Sequence, residues 1–143
     1  MKFWDASALI PLCLDELQTA SLRKLAEEDE AIAAWWATPV ECYSAFARLR
    51  REDLLTTMEE EQARAVLTAL AAEWTEIEPS RVVREQAGRA LLLHPLRAAD
   101  ALQLAAALVW SRGQTTGHHF VCLDQRLREA ARREGFTLLP PAP

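Results

Sequence analysis

The stretch Lys2-Phe3-Trp4-Asp5-Ala6-Ser7-Ala8-Leu9-Ile10 reads as a short apolar strand running directly into a helix, with an aspartate at the junction. Three more acids, Glu41, Asp100 and Asp124, stand at or just beyond similar junctions between an apolar run and a helical pattern. In a chain that alternates strand and helix, such junctions converge on one edge of a parallel sheet. The expected fold class is therefore α/β, a three-layer arrangement with a small, mostly parallel sheet and helices on both faces. Carboxylates gathered on one edge repel one another unless a hard divalent cation neutralises them, and all-oxygen donors are what Mg²⁺ or Mn²⁺ selects. The pattern points to a metal-dependent hydrolytic site with Asp5, Glu41, Asp100 and Asp124 as candidate metal ligands.

Working outward, residues from about Glu16 to Glu28 form a good helical mixture of Leu, Ala, Lys and Glu. Ala31 to Trp36 has strand length and is bounded by Glu27-Glu28-Asp29-Glu30 and by Thr38-Pro39. Thr38 as N-cap, Pro39 at the first helical position and Glu41 two residues on predict a helix to about Arg51. A second capping box, Thr57-Met58-Glu59-Glu60, predicts a helix to about Trp74. Thr75-Glu76-Ile77-Glu78 is a strand candidate, and Pro79-Ser80 opens a helix that runs through Leu93 and stops at His94-Pro95. Leu96 to Trp110 is helical and rich in alanine, and Gln114 to Gly117 is a turn. His119 to Leu123 reads as a strand, Asp124 to Glu134 as a helix closed by Gly135, and Phe136 to Leu139 as a last strand. The tail Pro140-Pro141-Ala142-Pro143 cannot continue a sheet. Neither a repeat nor a linker interrupts this series, so the expectation is one domain over residues 1–143.

At 143 residues and 50% hydrophobic content the chain can fill one core but not two ordinary ones. No apolar run nears the roughly 20 residues that span a bilayer, and the start lacks a signal-peptide pattern. Cys13, Cys42 and Cys122 are far apart among apolar neighbours, as buried thiols of a cytoplasmic protein would be. The formal charge of −5 is unusual for a nucleic-acid enzyme, but two divalent ions in the acidic site would bring it to about −1. Arginines cluster at Arg48, Arg50 and Arg51 and at Arg126, Arg128, Arg132 and Arg133. The interleaved Glu52, Glu129 and Glu134 favour a salt-bridged helix face over a dedicated phosphate surface.

Each acid also has an ordinary reading. Glu41 completes a capping box, Asp124 stands at an N-cap position, Asp5 or Ser7 can cap the first helix, and Asp100 lies where a helix dipole favours an anion. Two observations favour a shared site. Asp5 ends an apolar strand, and Asp100 is flanked by Ala98-Ala99 and Ala101-Leu102 on a nearly all-apolar helix. A buried carboxylate without a partner costs several kcal/mol, so both need one. Ser7, two residues after Asp5, can reach the same cluster, whereas a nucleophilic role for it lacks a Gly-x-Ser-x-Gly elbow. His94, His118 and His119 have no zinc-ligand spacing and are expected at the surface. The tryptophans Trp4, Trp35, Trp36, Trp74 and Trp110 are expected to pack in the core.

Phe3-Trp4-Asp5-Ala6-Ser7-Ala8-Leu9 resembles the opening of PIN-domain ribonucleases. Thr38-Pro39-Val40-Glu41 with Ala45, and Leu96-Arg97-Ala98-Ala99-Asp100-Ala101-Leu102-Gln103-Leu104-Ala105, resemble their second and third acidic motifs. Phe120-Val121-Cys122-Leu123-Asp124-Gln125-Arg126-Leu127 resembles the fourth. Order, spacing and length are similar to the VapC-type toxins of bacterial and archaeal toxin–antitoxin pairs. The chain departs at Cys122, where such proteins often carry Thr or Ser, and a thiol is the poorer donor. The resemblance implies a PIN-like fold and an Mg²⁺- or Mn²⁺-dependent endoribonuclease acting on RNA. It also implies catalytic roles for Asp5, Glu41, Asp100, Asp124 and Ser7, a VapB-like antitoxin partner and a homodimer. The alternatives are a PIN-domain RNA-processing nuclease that is no toxin, and a degenerate PIN module that binds RNA or protein without cutting.

Overall fold

Period-two alternation in the apolar runs determines the layering, because successive side chains of a strand point to opposite faces. In the computed structural model, which describes residues 1–29 and 31–141, Phe3, Ala33 and Phe120 pack into one core, while Trp4, Ala34 and Val121 pack into another. Glu30 of the acidic run, and Ala142 and Pro143 of the proline-rich tail, lie outside the described residues.

The elements follow in the order β1 (Lys2–Trp4), α1 (Ala6–Cys13), α2 (Thr19–Asp29), β2 (Ile32–Trp35), α3 (Thr38–Arg51) and α4 (Thr57–Glu73). They continue with β3 (Thr75–Ile77), α5 (Arg81–Leu93), α6 (Ala98–Trp110), β4 (His119–Val121), α7 (Gln125–Arg133) and β5 (Thr137–Leu139). The five-stranded sheet has the order β3-β2-β1-β4-β5, and every pairing is parallel. Residues of α1, α2, α3 and α4 build the core on the Trp4 face, and those of α5, α6 and α7 build the core on the Phe3 face. This is the three-layer, PIN-like α/β/α arrangement, with a sheet that is parallel throughout.

Alanine makes the Phe3 face possible. Ala101, Ala105, Ala106 and Ala107 of α6 are fully buried, and small side chains let the helix lie close to the sheet while large ones at Leu104 and Phe120 fill the remaining space. Phe3, Phe120 and Phe136 form a row of tilted rings, with centroids 5.2 and 5.5 Å apart. At the end of α7, Gly135 has φ 105, and a Cβ there would collide with Thr115 Oγ1. The position therefore requires glycine on both counts.

Several local expectations are corrected. The capping box of α4 is built by Thr56, not Thr57, with Thr56 Oγ1 accepting from Glu59 N and Glu59 Oε1 accepting from Thr56 N. The α3 box does not form: Ala37 is the N-cap without a side-chain bond, and Thr38 lies inside the helix. His94 is buried, not at the surface, because Glu134 supplies a hydrogen-bond partner for its ring. Trp36 is 52% exposed and leaves the core to Trp35, because it lies beyond the end of β2 in the turn that leads to α3. Cys42 and Cys122 are buried, whereas Cys13, at the end of α1, is only partly so; all three are free thiols.

Candidate functional site

From β1 the chain moves outward to β2 and β3 on one side, then returns to β4 and β5 on the other. The order reverses between β1 and β4, and in open α/β sheets the crevice beyond the strand ends at such a point is where ligands bind. Asp5 follows the end of β1, and Asp124 follows the end of β4 after Cys122 and Leu123. Glu41 lies in the first turn of α3 and Asp100 in the first turn of α6.

Ser7 and Cys122 hold the centre of this edge together. Asp5 is 5% exposed. Its Oδ2 accepts from Ser7 N at 3.1 Å, from Ser7 Oγ at 2.5 Å and from Cys122 Sγ at 3.6 Å. Ser7 Oγ in turn accepts from Leu123 N at 2.9 Å, so one hydroxyl ties the ends of two adjacent strands. Arg128 Nη1 donates to Cys122 O at 2.8 Å and steadies the same strand end. The Cys122 thiol faces both Asp5 Oδ2 and the Asp124 carbonyl at 3.6 Å, the longer reach of a sulfur donor.

Glu41 is positioned from across the site. Gln103, fully buried on α6 one turn beyond Asp100, donates through Nε2 to Glu41 Oε2 at 2.5 Å and to Thr38 Oγ1 at 2.9 Å. This explains the missing cap on α3, because Thr38 and Glu41 both face Gln103 instead of the helix terminus. Gln103 and Thr38 were not among the candidate site residues read from sequence. The available signal was an amide inside an otherwise nearly apolar helix, three residues after an acid that shares its face.

The acids sense one another's charge. Burial, and then repulsion by Asp5 and Asp100, push the Glu41 carboxyl up to about 7 despite the Gln103 bond. Burial raises Asp5 as well; its bonds from Ser7 and Cys122 oppose the shift and Asp100 adds to it. Asp100 is raised by burial and by Asp124, and held back by Arg97 and Arg126. The thiol of Cys122 is pushed far up, chiefly by burial and then by Asp5.

Asp5 and Asp124 also serve as N-caps, as their positions suggested. Each does so with one oxygen: Asp5 Oδ2 accepts from Ser7 N, and Asp124 Oδ1 accepts from Leu127 N at 2.9 Å. Among the described residues, Asp5 Oδ1 and Asp124 Oδ2 take no hydrogen bond. A cleft of about 440 Å³ opens here, lined by Arg97, Ala99, Asp100, Asp124, Gln125 and Arg126. Asp100 and Asp124 therefore stand at its wall, while Asp5 and Glu41 lie outside its lining. Among the described residues, no three His, Cys, Asp or Glu side chains are close enough to share one ion. A larger groove of about 500 Å³, lined mainly by apolar residues such as Ile32, Leu70 and Trp74, contains none of the four acids.

The arginine faces divide. Arg132 and Arg133 pair with Glu129 on one face of α7, as expected, whereas Arg50 pairs with Glu60 of α4 and Glu134 pairs with Arg89 and His94. Arg97 and Arg126 make no ion pair among the described residues and line the acid cleft. Among the described residues no helix is long and apolar enough to cross a membrane.

No family model matches the chain, and no curated protein matches it. Among solved structures, it is similar to Mycobacterium tuberculosis VapC20, a sarcin–ricin loop cleaving toxin, with a TM-score of 0.67 and 17% identity. The likeness covers 96% of this chain and 97% of that one, and at this identity what the two share is the fold.

Proposed function

We propose that the chain is an Mg²⁺- or Mn²⁺-dependent endoribonuclease and the toxin of a VapBC-type toxin–antitoxin pair. The observation that carries this reading is the placement of Asp5, Glu41, Asp100 and Asp124 along the switch-point edge of a fold shared with an RNA-cleaving toxin. Such a cluster is costly in isolation and is relieved by a divalent cation. The donors fit one in kind: all are carboxylates, and Asp5 and Asp124 each keep an oxygen outside their capping bonds. Holding an ion requires the acids to turn towards one another, since no three stand within reach of one point.

Asp5 and Asp100 would hold the ion directly, with Glu41 and Asp124 contributing directly or through water. Ser7 orients Asp5, Gln103 orients Glu41, and Arg97 and Arg126 meet the phosphate beside Asp100. When bound, the cation supplies a more acidic water and positive charge at the phosphate, which corresponds to cleavage leaving 3′-hydroxyl and 5′-phosphate ends. Exposed Leu91, Leu92 and Leu93 at the end of α5 support the expected homodimer. The apolar groove between α2 and α4, flanked by Glu27 and Glu73, supports an antitoxin that presents an apolar segment with basic flanks.

The test is incubation of wild-type and Asp100→Asn protein with total RNA and with an isolated sarcin–ricin loop, with Mg²⁺ or Mn²⁺ and then with EDTA. Fragments that require both the metal and Asp100 are expected. Unchanged cleavage by folded Asp100→Asn protein would sink the assignment. Growth arrest on expression, reversed by a small co-encoded partner, separates a toxin from a non-toxin RNA-processing enzyme with the same chemistry.

A further inference from the structure

Beside the acid cleft lies a second cavity, of about 260 Å³, lined by His94, Pro95, Gln125, Arg126, Glu129, Ala130 and Arg133. It shares Gln125 and Arg126 with the cleft that holds Asp100 and Asp124, so those two residues form the wall between the cavities. Its lining surface is mainly apolar. Its volume falls below the roughly 300–1,000 Å³ of a complete small-molecule site and suits one planar ring system.

Two features show that the walls are built. His94 has a side chain only 5% exposed, and its Nε2 lies 2.6 Å from Glu134 Oε2. Glu134 is itself held by Arg89 Nη1 at 3.2 Å. Nδ1 of the same His94 ring is buried without a hydrogen-bond partner among the described residues. On the opposite wall, Glu129 Oε1 accepts from Arg133 Nε at 3.0 Å and limits the swing of that guanidinium. Arg126 has no ion pair among the described residues, so its guanidinium is available to a ligand. Single-stranded and looped RNA is read through splayed bases stacked on aromatic rings or guanidinium planes and hydrogen-bonded at their edges. The cavity offers an apolar slot and arginine side chains beside the cleft that holds Asp100 and Asp124.

We propose that this cavity receives one unstacked nucleobase of the RNA, next to the phosphate held at Asp100 and Asp124, with Arg126 contacting both. This inference rests on the ribonuclease reading for its substrate class. It makes His94, Arg126 and Arg133 determinants of sequence preference at one nucleotide, whereas the acids determine the chemistry.

The experiment titrates adenosine, guanosine, cytidine and uridine 5′-monophosphates, and ribose 5-phosphate as the base-free control, into wild-type protein in EDTA. Binding is followed by the NMR resonances of the His94 ring and the arginine side chains. At least one mononucleotide is expected to bind roughly tenfold or more tightly than ribose 5-phosphate, given the usual strength of base stacking, and to shift the His94 signals. Arg126→Gln and His94→Phe are each expected to remove that preference; Arg126 is surface-exposed, so its variant keeps the test open should His94→Phe fail to fold. Equal binding of all five compounds, or shifts that leave His94 untouched, would overturn the pocket. Cleavage of RNA without any base preference at the cut overturns the pocket and leaves the nuclease standing. Base-dependent binding by a protein that cuts no RNA supports the pocket and removes the nuclease reading.

Discussion

The inner acids, Asp5 and Glu41, and the outer acids, Asp100 and Asp124, carry the same functional group in different settings. The inner pair is clamped: Ser7 and Cys122 donate to Asp5, and Gln103 donates to Glu41. The outer pair lines an open cleft beside Arg97 and Arg126. Burial is the leading cause of the raised carboxyl values at Asp5, Glu41 and Asp100, and the arginines oppose it only at Asp100. The difference teaches that one edge of a sheet can hold clamped carboxyls beside a pair of acids that line an open cleft.

The largest expected effect separates charge from shape in the outer pair. Asp100→Asn should lower RNA cleavage about a hundredfold or more, equivalent to roughly 2.7 kcal/mol or more of barrier. It should leave thermal stability of the metal-free protein equal or higher, because it removes a carboxylate repelled by Asp124. Kinetics alongside a melting curve check this, and a loss of activity that merely tracks a loss of stability would erase the distinction between the two pairs.

Next comes the clamp on the inner pair. Gln103→Leu leaves Thr38 Oγ1 and Glu41 Oε2 without their shared donor, and should cost about 1–3 kcal/mol in denaturant unfolding. It should also weaken Mn²⁺ binding, measured by calorimetry. Intact metal affinity in a destabilised variant would reduce Gln103 to a packing residue.

A pH titration reads the inner pair directly. The Glu41 carboxyl is raised from its ordinary 4.5 to about 7, so the folded chain keeps a proton there that the unfolded chain has already released. Between those values the folded state binds more protons, and stability of the metal-free protein should fall as pH rises through the window. After allowance for the solvent reaching this half-buried group, the expected loss is about 1–2 kcal/mol. Glu41→Gln should flatten the profile, and a profile of the same slope in both proteins would place the charge penalty elsewhere.

The smallest effect belongs to the arginines of the outer pair. Arg97→Gln should weaken RNA binding several-fold and reduce the salt dependence by a slope of about 1. A fall in affinity with an unchanged salt slope would argue that Arg97 orients Asp100 and does not meet phosphate.

Much of this arrangement was legible along the chain because it rests on local rules. Asp5 and Asp124 cap their helices as their positions indicated, and the β/α alternation led to the parallel sheet. The errors share a cause. Thr38-Pro39-Val40-Glu41 satisfies a local capping pattern, yet Gln103, sixty-two residues beyond Glu41, takes both polar side chains. His94 looked like a polar residue at a helix stop, but Glu134, forty residues later, permits its burial. A buried polar group goes where its partner is, and a partner distant in sequence leaves no local trace.

Taken alone, the sequence determined the β/α alternation, the two apolar faces of each strand and the acids at strand ends, because these follow from periodicity and from what a helix terminus needs. Only the tertiary structure decided which acids face the cleft, which are clamped behind it, and that His94 and Arg126 share a cavity beside them. Those relations join residues from separate β/α units, and their distances and burial exist only once the sheet has brought the units together.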